Sequence, residues 1–226
     1  MAMMPDRPSI PTSQHYQNGS YFSTRLPEDR FRGELWRVLC QYLQRDIPSD
    51  GVVLELGGGY CHFINQIRAA EKHVLDLYDG IKTAAAPGVK TYVQPCTRLD
   101  NFGSGSVDTV FASNLFEHLT REELLQTLTE VRRVLRSGGK LVIIQPNFKY
   151  AYREYFDDFT HIQVFTDVSL RDLLMTMGFG VERVVPRFLP FSLKSRGPRW
   201  PLLLRLYLLS PWRPFAGQMY LVARKS

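Results

Sequence analysis

The sequence predicts a doubly wound α/β fold, and three observations predict it. Short apolar runs alternate with stretches of helical periodicity over most of the chain, the pattern of parallel strands joined by crossover helices. The first run ends in Gly57-Gly58-Gly59, a turn that lets backbone approach a ligand at the carboxyl edge of a sheet. The 226 residues are 44% hydrophobic and 22% charged, ordinary globular usage that excludes a disordered chain.

Each element has its own warrant. In 27–47, Phe31, Leu35, Trp36, Leu39, Tyr42 and Leu43 recur at helical spacing behind Pro27, a residue suited to a first helical turn. Residues 52–56 read as a buried strand and 60–70 as a helix. Further strands are expected at 74–77, 90–94 and 107–112. A helix over 121–136 starts at a Thr120/Glu123 capping box and stops before Gly138. The run 141–144 is a fifth strand, 169–177 a helix stopped by Gly178, and 181–185 and 219–222 the last two strands. Those two flank an insert, 186–217, and pair to close an otherwise parallel sheet. The expected organisation is a flexible N-terminus over 1–20 and one domain over 21–226.

The net charge of +6 is unevenly placed. Residues 182–226 hold nine Lys and Arg against one acid, Glu182, while residues 1–181 hold 19 bases and 21 acids. The body is near neutral, and the excess belongs to the tail. Cys40, Cys61 and Cys96 are few, odd in number and widely spaced, which suits a reducing compartment and gives no disulfide or zinc framework. The first 20 residues contain no apolar signal core. A helix between Pro201 and Pro211 would span roughly 14 Å, about half a bilayer core. The expected location is the cytoplasm, with any membrane association peripheral.

The glycine turn can serve two cofactor classes. A dinucleotide fingerprint needs G-x-G-x-x-G, and the third glycine would fall on His62. The other class places an acid at the strand end, here Glu55, where a carboxylate suits a cation better than a pyrophosphate. S-adenosylmethionine carries an ammonium and a sulfonium. A second acid, Asp76, ends the second strand and can accept from both ribose hydroxyls.

With these residues in place, the chain resembles a class I S-adenosylmethionine-dependent methyltransferase, of the bacterial small-molecule and glycan type with a Glu-His pair after the fourth strand. The likeness spans about residues 50–185. Its blocks are Val53-Leu54-Glu55-Leu56-Gly57-Gly58-Gly59-Tyr60, the run 106–114 followed by Leu115-Phe116-Glu117-His118-Leu119, the run 134–142, and Met177-Gly178-Phe179-Gly180-Val181. The resemblance implies a Rossmann-like sheet of seven strands whose last runs antiparallel between the fifth and sixth. It implies that Glu55, Gly57 and Gly59 line the methionine end, Asp76 holds the ribose, Leu77 lies against the adenine, and Asn114 sits beside the methyl donor. Two positions depart from the family. Cys61 replaces the third glycine of E-x-G-x-G-x-G. The acid expected after the third strand is missing from Gln94-Pro95-Cys96-Thr97, which leaves backbone groups of Cys96 or Thr97 for the adenine.

An oxygen acceptor needs a base, whereas the donor is already activated. The first candidate is His161, oriented by Asp158 or Asp157 in the segment after the fifth strand. The competing reading is a loop held by side-chain hydrogen bonds. A metal site on Asp-Asp-x-x-His is the third, and no metal is expected. His118 is the second candidate, weighed against a structural tie between loops, with Glu117 as a local cap. His62 and His73 are read as structural. Tyr16 to Phe22 could fold over the cofactor, and Phe148, Tyr150, Tyr152, Tyr155 and Phe156 could wall the acceptor site.

In the insert, leucines surround nearly the whole axis of 201–209, with Lys194, Arg196, Arg199, Arg205, Arg213, Trp200 and Trp212 nearby. Such a helix wants a core, a homodimer contact or lipid. The basic residues and tryptophans suit an anionic membrane surface through 194–213, or a phosphorylated or lipid-linked substrate. No nucleic-acid recognition motif is present. The expected function is methyl transfer, favouring oxygen, to a small-molecule, saccharide or lipid-linked acceptor, with S-adenosylhomocysteine as product. Its rivals are a non-catalytic cofactor-binding relative and a peripheral membrane-binding module.

Overall fold

Seven strands form one sheet: β1 (Val52–Leu56), β2 (Glu71–Asp76), β3 (Val89–Val93), β4 (Val107–Ser113), β5 (Leu135–Pro146), β6 (Phe179–Pro190) and β7 (Ala216–Lys225). The computed structural model describes residues 30–190 and 201–226. The expected flexible segment 1–20, the lid at 16–22 and the basic stretch 194–200 lie outside the described residues. The order is β3-β2-β1-β4-β5-β7-β6, with β7 antiparallel to both β5 and β6 and the other pairs parallel. The predicted fold class is the one observed.

Alternation along the strands builds two cores. Leu54, Leu56, Leu75, Val110, Leu141, Ile143, Leu221 and Ala223 face one side; Val53, Val74, Phe111, Val142, Ile144, Tyr220 and Val222 face the other. The first side is covered by α4 (Arg121–Val134) and α6 (Asp167–Thr176), through Leu124, Leu128, Val131, Leu170 and Leu174. The second is covered by α1 (Arg30–Leu43), α2 (His62–Gln66) and α7 (Pro201–Leu209). On that side Phe63 stacks on Phe111 at 3.7 Å between centroids, and Trp36 meets both rings edge-on. Two short helices, α3 (Ile81–Ala84) and α5 (Phe148–Ala151), sit in the loops after β2 and β5.

The expected elements recur with shifted ends. The capping box at Thr120/Glu123 is formed in both directions, and α4 ends two residues early because β5 already begins at Leu135. Gly138, expected as a helix stop, lies inside that strand at φ 74°. The helix expected over 60–70 is only α2, five residues long, because Cys61 takes a left-handed conformation before it and Ile67 turns extended after it. β6 and β7 run longer than their apolar cores because antiparallel pairing carries them on, whereas β5 starts early because Leu135 pairs with Val107 of β4.

The leucine helix is resolved into faces. Leu208 is buried, with Leu204 and Tyr207 half-buried against the α1 side. Leu202, Leu203, Leu206 and Leu209 stay exposed. Arg213, expected among the docking bases, turns inward: its guanidinium donates to the Leu208 carbonyl at 3.0 Å and to the Tyr42 hydroxyl at 3.3 Å, knitting the insert to α1. Among the described residues no helix is long and apolar enough to cross a membrane.

Candidate active site

The strand order reverses between β1 and β4, which opens a crevice at the carboxyl ends of the parallel strands. The glycine turn lies there. Gly57 and Gly59 have φ of 71° and 51°, a conformation that disfavours side chains. Gly58 is needed for space, since a Cβ there would sit 2.1 Å from Val74 Cγ2. A Cβ on Gly57 would come within 3.2 Å of Leu115, so the turn closes on the loop after β4.

All three glycine amides are already engaged. Gly57 and Gly58 donate to the Leu75 carbonyl at 2.8 and 3.3 Å, and Gly59 donates to Asp76 Oδ2 at 2.8 Å. A turn whose amides are directed into β2 offers no nest for a pyrophosphate. That agrees with the failed dinucleotide spacing.

Two buried acids face this turn. Glu55 points to the α2 side and its Oε2 accepts from the Ile64 amide at 3.1 Å, tying α2 to the strand end. Burial pushes its carboxyl well above the usual range, and the Asp76 charge adds to this against the Ile64 hydrogen bond. Asp76 also takes the Tyr78 amide at 2.8 Å; burial raises its carboxyl, opposed by the amides it accepts. Two desolvated acids beside a tight glycine cradle fit a ligand that brings positive charge and ribose hydroxyls.

The remaining predicted cofactor residues are spread around that crevice. Leu77 follows Asp76 and is half-buried. Asn114 stands exposed at the end of β4 with φ 49°, its Oδ1 accepting from Gln218 at 3.1 Å. Cys96 is turned into the core, where its sulfur accepts from Thr127 Oγ1 at 3.4 Å and burial pushes the thiol up to about 11. Its side chain is therefore directed at α4, and only its backbone can serve an adenine. Thr97 is half-buried beside Arg98 and the α4 residues Gln126 and Glu130. Cys61 occupies the left-handed position, φ 57°, that the family's glycine would fill without strain.

Beside the crevice, the loop after β4 meets the segment after β5. A short 3-10 turn, Phe116–His118, presents Glu117 and His118, and the Glu117 carbonyl accepts the Ile162 and Gln163 amides at 2.9 and 3.1 Å. His161 Nδ1 donates to the Tyr155 carbonyl at 2.6 Å. His118 Nδ1 lies 3.2 Å from the Thr160 carbonyl and 3.0 Å from its hydroxyl. The two rings are 4.8 Å apart, and each Nε2 is 4.0 Å from Glu117 Oε1.

Asp158, expected to orient His161, bonds through Oδ1 to the Thr160 amide and hydroxyl at 3.1 and 2.6 Å, and its charge interacts with His161. Burial pulls its carboxyl up, but the Thr160 hydrogen bonds and the two imidazoles outweigh this and the net shift is downward. Asp157 is exposed. His118 is lowered to about 4, by burial first and then by His161.

Sequence reasoning cast Glu117 only as a local cap. It is 0% exposed, and neither carboxylate oxygen has a hydrogen-bond partner among the described residues. Burial raises it to about 8, and the nearby Asp158 charge adds to the rise. The one signal for it was its place beside His118. Of the aromatic wall, Tyr155 is buried against His161 and Phe148, while Tyr150, Tyr152 and Phe156 are exposed and form a rim. His73 is structural, paired to Tyr92 at 3.2 Å.

A reversed parallel sheet with an antiparallel seventh strand, a glycine turn and two strand-end acids defines the class I methyltransferase architecture. Residues 54–143 match the family model for a methyltransferase domain. That match covers 90 of the 226 residues, lies within the fold described above, and supports methyl transfer as the chemistry of this chain. No curated protein matches it in sequence. Among solved structures it is similar to an S-adenosylmethionine-dependent methyltransferase of Thermotoga maritima, with TM-score 0.65 and 15% identity over 95% of this chain and 100% of that one. One from Archaeoglobus fulgidus gives 0.63 and 18% over 93% and 100%. The 1,6-didemethyltoxoflavin N1-methyltransferase of Burkholderia thailandensis, crystallised with 1,6-didemethyltoxoflavin and S-adenosylhomocysteine, gives 0.58 and 18% over 94% and 84%. At these identities the likeness is one of fold.

Proposed function

We propose that this methyltransferase acts on a hydroxyl oxygen of a small-molecule, saccharide or lipid-linked acceptor. The observation that carries this reading is the imidazole pair at the sheet's carboxyl edge. Both Nδ1 atoms donate to backbone carbonyls, so in the neutral rings both Nε2 atoms are proton acceptors. S-adenosylmethionine, when bound, supplies a methyl group on a sulfonium; in-line displacement breaks the C–S bond with its electron pair going to sulfur, and a C–O bond forms.

The chain's own residues do the rest. Glu55, Gly57, Gly59 and Asp76 would hold the methionine end and ribose, with Leu77, Asn114 and the backbone of Cys96 and Thr97 around the base and donor. His161 Nε2 would take the hydroxyl proton, with His118 as its neighbour and Asp158 favouring the charged rings. The exposed rim of Tyr150, Tyr152 and Phe156 would bury the acceptor against water.

His161→Ala should lower kcat by about a hundredfold or more while leaving S-adenosylhomocysteine affinity alone. An acceptor panel of alcohols and amines decides the atom. Equal turnover by the variant, or transfer to amines alone, would reject the oxygen reading.

A second reading concerns where the enzyme works. Leu209, Trp212 and Phe215 are 71%, 76% and 93% exposed next to Leu206 and the exposed Arg205. Large apolar side chains mixed with a base favour peripheral contact with an anionic membrane surface over a solvated face.

A further inference from the structure

We infer that Glu117, His118 and His161 form a binding site for a divalent transition-metal cation. One donor atom from each lies within 4.8 Å of the other two. Tetrahedral ligands at zinc distances stand about 3.4 Å apart. The widest separation therefore needs to shorten by about 1.4 Å, which small torsions shared among the three side chains supply.

The outer contacts are those of a metal site. Each imidazole presents Nδ1 to a backbone carbonyl, which fixes the ring and directs the Nε2 lone pair toward Glu117. Glu117 is the second, independent observation. It is fully buried, both its oxygens lack hydrogen bonds among the described residues, and it faces the two Nε2 atoms at 4.0 Å. A cation held between Glu117 and the two imidazoles would displace any carboxyl proton and give the buried oxygens the partner they lack.

The donor set differs from the Asp-Asp-x-x-His cluster considered from sequence. Asp157 is exposed and Asp158 Oδ1 is occupied by Thr160. Two imidazoles and one carboxylate select zinc-class and other first-row cations over magnesium or calcium. Three protein ligands leave a position open for a water or an acceptor oxygen. Both imidazole side chains keep 6–7% exposure, so the site reaches solvent.

Metal binding rests on the side chains alone. Its role rests on the oxygen-methylation reading: a bound ion would hold the acceptor hydroxyl and lower its pKa so that the proton leaves to solvent, with the two imidazoles then serving as ligands and no longer as bases.

The test is equilibrium dialysis of the untagged full chain against Zn²⁺ and a visible-absorption titration with Co²⁺. About one ion per chain should be retained, and Co²⁺ should develop the bands of nitrogen and oxygen ligation. Glu117→Gln and His118→Ala should each weaken binding by at least about tenfold, more than the loss of an outer-sphere partner usually brings. S-adenosylhomocysteine affinity reports that each variant is folded. If the wild type retains no ion, or the folded variants bind it as well as the wild type, the site is refuted. Neither result touches methyl transfer, which the acceptor panel judges separately.

Discussion

The Gly59 amide donates to Asp76 Oδ2 at 2.8 Å, so the acid that ends β2 holds the turn that follows β1. Asp76 Oδ1 is engaged in the same way by Tyr78. Each carboxylate oxygen retains a lone pair for a ribose hydroxyl, so one side chain shapes the cradle and would bind its ligand. Asp76→Ala removes both functions. By calorimetry, S-adenosylhomocysteine affinity should fall by about tenfold to a hundredfold, the range for losing hydrogen bonds to a charged group. Asp76→Asn, which keeps one acceptor oxygen, should fall between. Wild-type affinity in the alanine variant would remove Asp76 from the ribose.

Glu55 makes stability depend on pH. Burial raises its folded-state pKa well above the usual carboxyl range. Its contribution is then fully present below the unfolded pKa of about 4.3 and is lost as pH rises through the raised folded value. Gln at this position keeps an oxygen for the Ile64 amide and has no proton to lose. Glu55→Gln should therefore gain stability over the wild type, and the gain should grow from about pH 5 to about pH 8 in chemical denaturation. A difference independent of pH would show that Glu55 is already ionised in the folded protein across that window, so that its pKa is not raised.

What was legible in the sequence follows from what repeats in it. Alternating apolar residues marked the strand cores, and Thr120/Glu123 marked the start of α4, because these signals are local. The length of β5 and β7 was not local, since Leu135 of β5 pairs with Val107 of β4 and both ends of β7 pair with β6. Glu55 and Asp76 could be read because a strand end next to a glycine turn is itself a pattern. Glu117 could not. An acid is rarely buried, and its facing partner His161 lies in a separate loop that only the sheet brings near. The Asp158 contact with Thr160 was hidden in the same way: the adjacent Asp-Asp pair gave no sign of which side chain would turn inward.

Cys61 tests the family's glycine directly. It is buried at φ 57° with its sulfur near the Ile81 carbonyl. A left-handed residue with a Cβ is strained by about 1–2 kcal/mol, while burying a small side chain returns a similar amount. Cys61→Gly should change unfolding free energy by no more than about 1 kcal/mol and preserve S-adenosylhomocysteine binding. Cys61→Val adds a branched Cβ in that conformation and extra volume in a packed core, and should destabilise by about 2 kcal/mol or more. Equal stability of the two variants in urea would mean that position 61 relaxes out of the left-handed region.

The insert gives the last prediction. The α1 side of α7 is already packed through Leu208, so the leucines left outside are not needed for the fold. Leu206, Leu209 and Trp212 offer enough apolar surface to enter a lipid interface, each worth up to about 1.5–3 kcal/mol when buried. Arg205 on the same helix supplies attraction to anionic headgroups, which salt screens. The protein should co-sediment with vesicles containing anionic lipid at low ionic strength and less so at high. Leu206→Ser with Trp212→Ser should reduce that binding by about tenfold or more and leave S-adenosylhomocysteine affinity unchanged. If the wild type fails to bind vesicles at low salt yet sediments as a dimer that the double variant dissociates, the exposed face is a self-association surface and the membrane reading falls.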